Sequence, residues 1–429
     1  MKEKLSKFIN VLKKDGIIRT FKKTYKYCMA NYINKINFIR KLQFKIQKNK
    51  ILNDIENVLL NTDYDRILVW RGSFGWNVPL YQRPQHIAKC LSDKNCLVLY
   101  EVTRMTDKTK FFDKFKKNLY LVNYEIKEFE QLLWNCLIKV KKPKYLQLYS
   151  TCWDVSDILL RKYTDNGFTL LYEYIDDLNP LLAGTKDLPE NVKKIHEYVC
   201  NHTDTTLVVT SANKLYDDIT AKRQSNKNVI LSTNGVEYEH FSNKNYKEIK
   251  DRKYNKIINE GKPIIGYYGA LASWFDYELI QYIANNNPNI NIVLLGIKYD
   301  NTFDESQISR IPNIHYLGPI DYKYLPIYAQ NFDICIIPFK INEITLSTNP
   351  IKIFEYMAMK KPIITTNMPE CKKYKSVIVA QNKEDFDYAI KNIDNIYTSD
   401  LRELEKQEAI QNSWQNKADE ILALLKKHE

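Results

Sequence analysis

A chain of 429 residues with 44% hydrophobic side chains, 11 glycines and 14 prolines is long enough for two or three packed cores and is neither fibrous nor linker-rich. Its formal net charge of +13 is unevenly placed: residues 1–50 hold 15 of the 64 basic and 2 of the 51 acidic side chains, so the other 379 residues are balanced. A neutral body argues against nucleic acid as the partner of the main domains.

Residues 1–60 intersperse lysines with Phe8, Ile9, Leu12, Ile17, Ile18, Phe21, Tyr25 and Tyr27 at near-helical spacing. Two expectations stay open for this basic amphipathic extension: it lies on an anionic membrane surface, or it packs on the body. The N-terminus lacks the continuous apolar stretch of a secretory signal, and no run of about 18 apolar residues occurs. The expected location is cytoplasmic, peripheral on the inner face of the membrane.

From residue 66, short apolar runs recur at 66–70, 96–102, 119–123, 144–150, 169–176, 205–210 and 228–235, with intervals mostly long enough for helices such as 85–93. This alternation predicts an open, mostly parallel sheet covered on both faces. A Lys/Asn-rich stretch at 242–256 reads as a linker. A second alternation follows at 263–269, 289–296, 313–318, 332–339, 361–366 and 376–380, and residues 400–427 read as a helix around Trp414. The expected organisation is a helical extension (1–60), an α/β domain (61–240), a linker (241–258), a second α/β domain (259–399) and a C-terminal helix returning to the first domain (400–429). Both α/β domains are Rossmann-like. Ligands of such sheets bind beyond the carboxyl ends of the strands, so the cleft between the domains is the expected site.

The stretch 343-EITLSTNPIKIFEYMAMKKPIITTN-367 carries the strongest chemical signal. Pro350 suits a helix start, and the N–H groups of Ile351, Lys352 and Ile353 then lack intrahelical partners and favour an anion. Lys352 opposes the helix dipole there unless an anion is bound. Glu355, three residues on, shares its face and suits vicinal hydroxyls such as those of a ribose; an i,i+3 surface ion pair is the plainer alternative. In 263-PIIGYYGALASWFDYELI-280 a strand ends at Gly269, where a ligand can approach the backbone. The first-domain segment 70-WRGSFGWNVPLYQRPQH-86, with Trp76, Arg83 and His86, offers aromatic faces and polar forks to a sugar acceptor. Asp176 and Asp177 end a strand on the cleft side, where they could orient an acceptor hydroxyl or take its proton; Asp177 reads equally well as a helix cap.

The eight cysteines form no CxxC and no Cys/His cluster with zinc spacing, and reduced, buried thiols are expected. The D-x-D motifs at 63–65 and 385–387 lie outside the predicted cleft, so no metal is expected.

The segment 332-FDICIIPFKINEITLSTNPIKIFEYMAMKKPIITT-366 resembles the donor-site signature of retaining GT-B glycosyltransferases of the family 4 type. The segments 83–92, 233–241, 266–280 and 315–326 resemble further landmarks of that family, over roughly residues 64–427. The resemblance implies a nucleotide sugar as substrate, most readily a UDP-sugar, with no cofactor, and a glycan or lipid-linked acceptor in cell-surface polysaccharide synthesis. It implies that Glu355 binds the ribose, that Asn349, Pro350, Ile351 and Lys352 form the diphosphate-binding helix start, that Leu317 and Gly318 lie beside the base, and that Gly269 approaches the donor phosphates. The chain departs from the family pattern at Ser347, where a glutamate is common, and in having no cation in 270–278. Glu343 is the expected substitute toward the donor sugar, and Lys340 or Lys352 the expected neutraliser of the diphosphate. The catalytic candidates are therefore Asp176, Glu343 and His86, and the acceptor candidates Trp76, Arg83 and Asp177. A GT-B epimerase and a non-catalytic glycan-binding protein with a degenerate donor site are the alternatives.

Overall fold

The computed structural model describes residues 17–72, 74–78, 81–102, 107–180, 187–243 and 249–429, with backbone alone over 17–37 and at 61. The expected apolar positions Phe8, Ile9 and Leu12 lie outside the described residues. The chain divides into two compact units.

The first unit comprises residues 1–63, 108–114 and 121–141. Its main element is a 45-residue helix, Ile17–Asn61, packed against the helix Lys127–Leu137. Phe44, Ile51, Ile55, Val58 and Leu59 are buried, and their three- and four-residue spacing puts them on one side of the helix. The Phe44 ring meets Phe111 at 5.7 Å and Phe129 at 6.2 Å, and Arg40 holds Glu125 at 2.8 Å. The expected boundary at residue 60 therefore moves. Segments 108–114 and 121–141, assigned from sequence to the first α/β domain, group with the basic helix because they supply the apolar surface it buries.

The second unit, Tyr64–Asp107, Phe115–Tyr120 and Lys142–Glu429, carries both predicted alternations except residues 121–123 of the run 119–123. The strands of the first sheet are β1 (Arg66–Trp70), β2 (Cys96–Glu101), β3 (Phe112–Lys116), β4 (Leu119–Val122), β5 (Lys144–Tyr149), β6 (Thr169–Tyr174), β7 (Thr206–Thr210) and β8 (Val229–Leu231), in the order β3-β4-β2-β1-β5-β6-β7-β8. From β2 to β8 the neighbours pair in parallel. β1 is buried along its whole length, as a sheet covered on both faces requires. The sequence missed β3 because Phe112–Lys116 is largely polar and exposed; Asn118, at φ +59°, closes its hairpin with β4.

The second sheet contains β9 (Ile264–Tyr268), β10 (Asn291–Leu295), β11 (Ile314–Gly318), β12 (Ile334–Ile337), β13 (Ile363–Thr365) and β14 (Ile378–Val379), all parallel, in the order β11-β10-β9-β12-β13-β14. Strand order reverses between β1 and β5 in the first sheet and between β9 and β12 in the second. Loops leaving such a switch point diverge and open a crevice.

Two connections differ from expectation. Part of the predicted linker is a helix, Arg252–Ile258, capped by Asp251 and held by buried Tyr254 and Ile257. The predicted single tail helix is two helices. Ser399–Gln411 packs on the helix Ile351–Ala358, and Trp414–His428 packs on the helix Arg83–Asp93. At the break, Val236 N–H donates to Asn412 O at 2.9 Å and Trp414 N–H to Val236 O at 3.0 Å, so the two chain crossings between the sheets run side by side. Gly235 permits this approach, since a Cβ there would lie 2.6 Å from Asn412 O. The described cysteines are free thiols, buried except for half-buried Cys200.

Candidate active site

The loops at the two switch points line a cleft of about 870 Å³. Phe74, Tyr81 and Gln82 reach it after β1, and Thr151–Asp154 after β5. On the facing wall come Gly269 and Ala270 after β9, Gly296 after β10, Pro319 and Ile320 after β11, and Phe339 with the 344–352 segment after β12.

The helix Ile351–Ala358 points its N-terminus into this cleft. Pro350 is the residue before its first turn, with φ −73° and ψ 119°, and lends the entry its fixed backbone angle. Ile353 N–H is occupied by Pro350 O at 3.2 Å, contrary to expectation, because the first turn is tight. The N–H groups of Ile351 and Lys352 have no backbone partner among the described residues. They remain available to an anion, with the positive end of the helix dipole behind them.

Lys352 and Glu355 both line the cleft. The Lys352 ammonium lies 5.3 Å from the Tyr267 ring and 5.0 Å from the Phe339 ring. Burial lowers its pKa to about 8 against a partial pull upward from Glu355. Glu355 is buried, and desolvation raises its carboxyl to about 7, partly offset by the Tyr268 hydroxyl and Lys352. Gly269 has φ +146°, and a Cβ there would come within 2.9 Å of Lys352 Cε. Its N–H donates to Leu295 O at 2.9 Å, and Gly296 N–H donates to Gly318 O at 2.8 Å, so three strand-end turns form one ladder beside the lysine. A nucleoside diphosphate needs such a constellation: donors for the phosphates, a cation beside them, and a carboxylate for vicinal hydroxyls.

Asn349 lines the cleft and also ties it to its surroundings. Its amide accepts from Asn234 N–H at 3.0 Å and donates to Glu370 at 3.1 Å, while Asn234 donates to Asn349 O at 2.7 Å. Glu370, almost fully buried, also accepts from Asn213 N–H at 2.9 Å and Lys373 at 2.6 Å. This network joins the loop before the Ile351 helix to the first sheet's side. Neither Asn234 nor Glu370 was found from sequence, because each is an ordinary polar residue until the fold juxtaposes them.

Asp176 lines the cleft and is exposed there, and crowding by the surrounding protein, with Asp177 nearby, pushes its carboxyl up toward about 6. Among the described residues Asp177 caps no helix. Its carboxylate accepts from Lys214 at 3.0 Å, lies 3.5 Å from the Ser347 hydroxyl, and is held outside the lining. Arg83 does reach the cleft wall, but its guanidinium is buried against Glu173 at 2.6 Å and the carbonyls of Ser232 and Thr233 at 3.1 and 2.9 Å. Most of its donors are therefore spent inside the fold.

Several expected site residues lie elsewhere. His86 is buried, stacked on Trp414 at 4.9 Å and edge-on to Tyr81, and burial holds its pKa well below the ordinary value, so it stays neutral and out of the lining. Trp76 is buried against Tyr81, Tyr100 and Phe115, since an aromatic-rich loop gains more by packing its rings together than by exposing them. Glu343 is exposed: the Asn342–Thr345 capping box turns Thr345 inward and the glutamate out. Lys340 lines a separate depression of about 310 Å³. Leu317 and Gly318 are not in the lining, where Pro319 and Ile320 form the wall instead. Sequence reasoning also missed the Thr151–Asp154 wall and Tyr322, whose ring stacks on Tyr81 at 5.1 Å from the opposite side of the cleft. Among the described residues no cluster of metal-ligating side chains occurs.

Comparison with known proteins follows the same lines. Residues 262–395 match the family described as Glycosyl transferases group 1. The chain is 29% identical over 183 residues to a "putative teichuronic acid biosynthesis glycosyltransferase TuaH" of Bacillus subtilis (strain 168), a match covering 41% of this chain and 44% of that protein, less than half of the relative's length. Among solved structures, sucrose-phosphate synthase (tll1590) from Thermosynechococcus elongatus superposes with a TM-score of 0.62 at 12% identity, covering 85% of this chain and 98% of that one. Anabaena Alr3699/HepE, solved in complex with UDP and glucose, gives 0.60 at 14% identity, covering 85% and 100%. Residues 262–395 are thus a glycosyl transferases group 1 domain, and the paired parallel sheets that enclose the cleft have the GT-B glycosyltransferase fold.

Proposed function

We propose that the protein transfers a sugar from a nucleotide sugar, a UDP-sugar in the first instance, to a glycan or lipid-linked acceptor in cell-surface polysaccharide synthesis, with retention at the anomeric carbon and at the inner face of the cell membrane. The observation that carries this is the convergence of the Ile351 helix start, Lys352 and buried Glu355 on one cleft at the second sheet's switch point. In this reading Glu355 accepts hydrogen bonds from the ribose hydroxyls. The N–H groups of Ile351 and Lys352, with the Lys352 ammonium, hold the diphosphate and stabilise it as it leaves. Gly269, lacking a side chain, admits the phosphates. Asp176, ionised above about pH 6, orients the acceptor hydroxyl from the facing wall, beside Trp153 and Phe74. The UDP and UDP-sugar complexes of structurally similar proteins support the donor class, and the name of the Bacillus relative supports the acceptor class.

The test is NMR of the product formed from an α-linked UDP-sugar and a glycan acceptor. An α-glycoside is expected. A β-glycoside overturns retention, and release of a 2-epimer without transfer overturns the transferase reading in favour of an epimerase.

A further inference from the structure

We propose that the outer face of the long N-terminal helix docks on an anionic lipid surface. The inference does not depend on the donor site and identifies which residues make the contact. At the helical repeat of about 100° per residue, Phe38, Leu42 and Ile46 fall within about 80° of arc, with Ile39 at the margin. Their exposures are 70%, 52%, 76% and 49%. The residues that seat the helix in its unit, Phe44, Ile51, Ile55 and Val58, are all buried and centre about 180° from that stripe. The helix therefore has two apolar faces, one used by the protein and one left bare. A bare contiguous apolar stripe on a helix that the fold already holds marks an interaction surface.

Charge decides the occupant. Lys45, Lys48 and Lys50 are exposed along the same stretch, and residues 1–50 carry 15 basic against 2 acidic side chains. A second copy of the helix would bring two such segments together and repel. Anionic headgroups supply the missing counter-charge and take the apolar stripe at the acyl boundary. Among the described residues no helix is long and apolar enough to cross a membrane, so the contact is interfacial.

The test is vesicle co-sedimentation of the full chain, with vesicles of phosphatidylcholine alone and of phosphatidylcholine with about one-third phosphatidylglycerol. Binding is expected to the anionic vesicles, weakened by raised salt and reduced on the order of tenfold or more in F38S/L42S/I46S and in K45Q/K48Q/K50Q. These side chains are solvent-exposed, so circular dichroism of the variants should match the parent. Absence of binding to anionic vesicles, equal binding to neutral ones, or binding untouched by F38S/L42S/I46S overturns the proposal. A doubled molar mass in light scattering that F38S/L42S/I46S abolishes also overturns it, in favour of self-association.

Discussion

At the scale of single residues, half-buried Lys352 and buried Glu355 are two ionisable groups on one cleft, and the proposed donor complements both. With Glu355 at about 7 and Lys352 at about 8, a free protein near neutrality holds the carboxyl about half ionised and the ammonium mostly charged. Ribose hydroxyls need the ionised carboxylate, so affinity rises as pH climbs through about 7. The diphosphate needs the charged ammonium, so affinity falls as pH climbs through about 8. Calorimetry with UDP-glucose, whose phosphates do not titrate in this range, should give a bell-shaped affinity. Glu355→Gln should remove the acidic limb and Lys352→Met the alkaline one. Losing the carboxylate should cost about 1.5–3 kcal/mol, roughly 10- to 150-fold in Kd. A pH-flat affinity in the parent contradicts these roles. Ser347 is explained at the same scale. It is buried, donates to Ile344 O at 3.0 Å and lies 3.5 Å from the Asp177 carboxylate, so a glutamate there would face a carboxylate already held by Lys214. Glu343, the substitute expected from sequence, is turned to solvent by its own helix cap.

At the scale of elements, the strands were legible because buried parallel strands read as continuous apolar runs, and every predicted run contains one. The Ile351 helix was legible from Pro350 and its apolar spacing. What the sequence could not show was strand order. The switch point between β1 and β5 brings Thr151–Asp154 to the cleft, and nothing in four ordinary residues announces it. His86 illustrates the converse. A histidine near a helix start reads as chemistry, yet aromatic neighbours from the last helix bury it. The contacts that join elements were hidden for the same reason, and Glu370 is the clearest case. Its carboxylate gathers Asn213, Asn349 and Lys373 from three separate segments. Glu370→Ala strands buried donors and should lower stability by about 2–4 kcal/mol, read by urea denaturation. A change under about 0.5 kcal/mol would mean that the network contributes nothing to the joint.

At the scale of the whole molecule, two crossings laid side by side at Val236 and Asn412 carry the chain between two sheets whose switch points face one cleft. Division of labour follows: the second sheet's loops offer anion donors and a carboxylate, the first sheet's offer aromatic rings and Asp176. The basic excess, already confined to residues 1–50 in the sequence, belongs in part to the helix Ile17–Asn61 of the first unit. The central claim is that the cleft binds a nucleotide sugar through Glu355. Thermal unfolding of the parent and of Glu355→Ala across UDP-, GDP- and dTDP-sugars tests it most directly. Stabilisation of the parent by at least one donor, a UDP-sugar foremost, and loss of that shift in Glu355→Ala are expected. No shift with any donor, or a shift unchanged in Glu355→Ala, would contradict it.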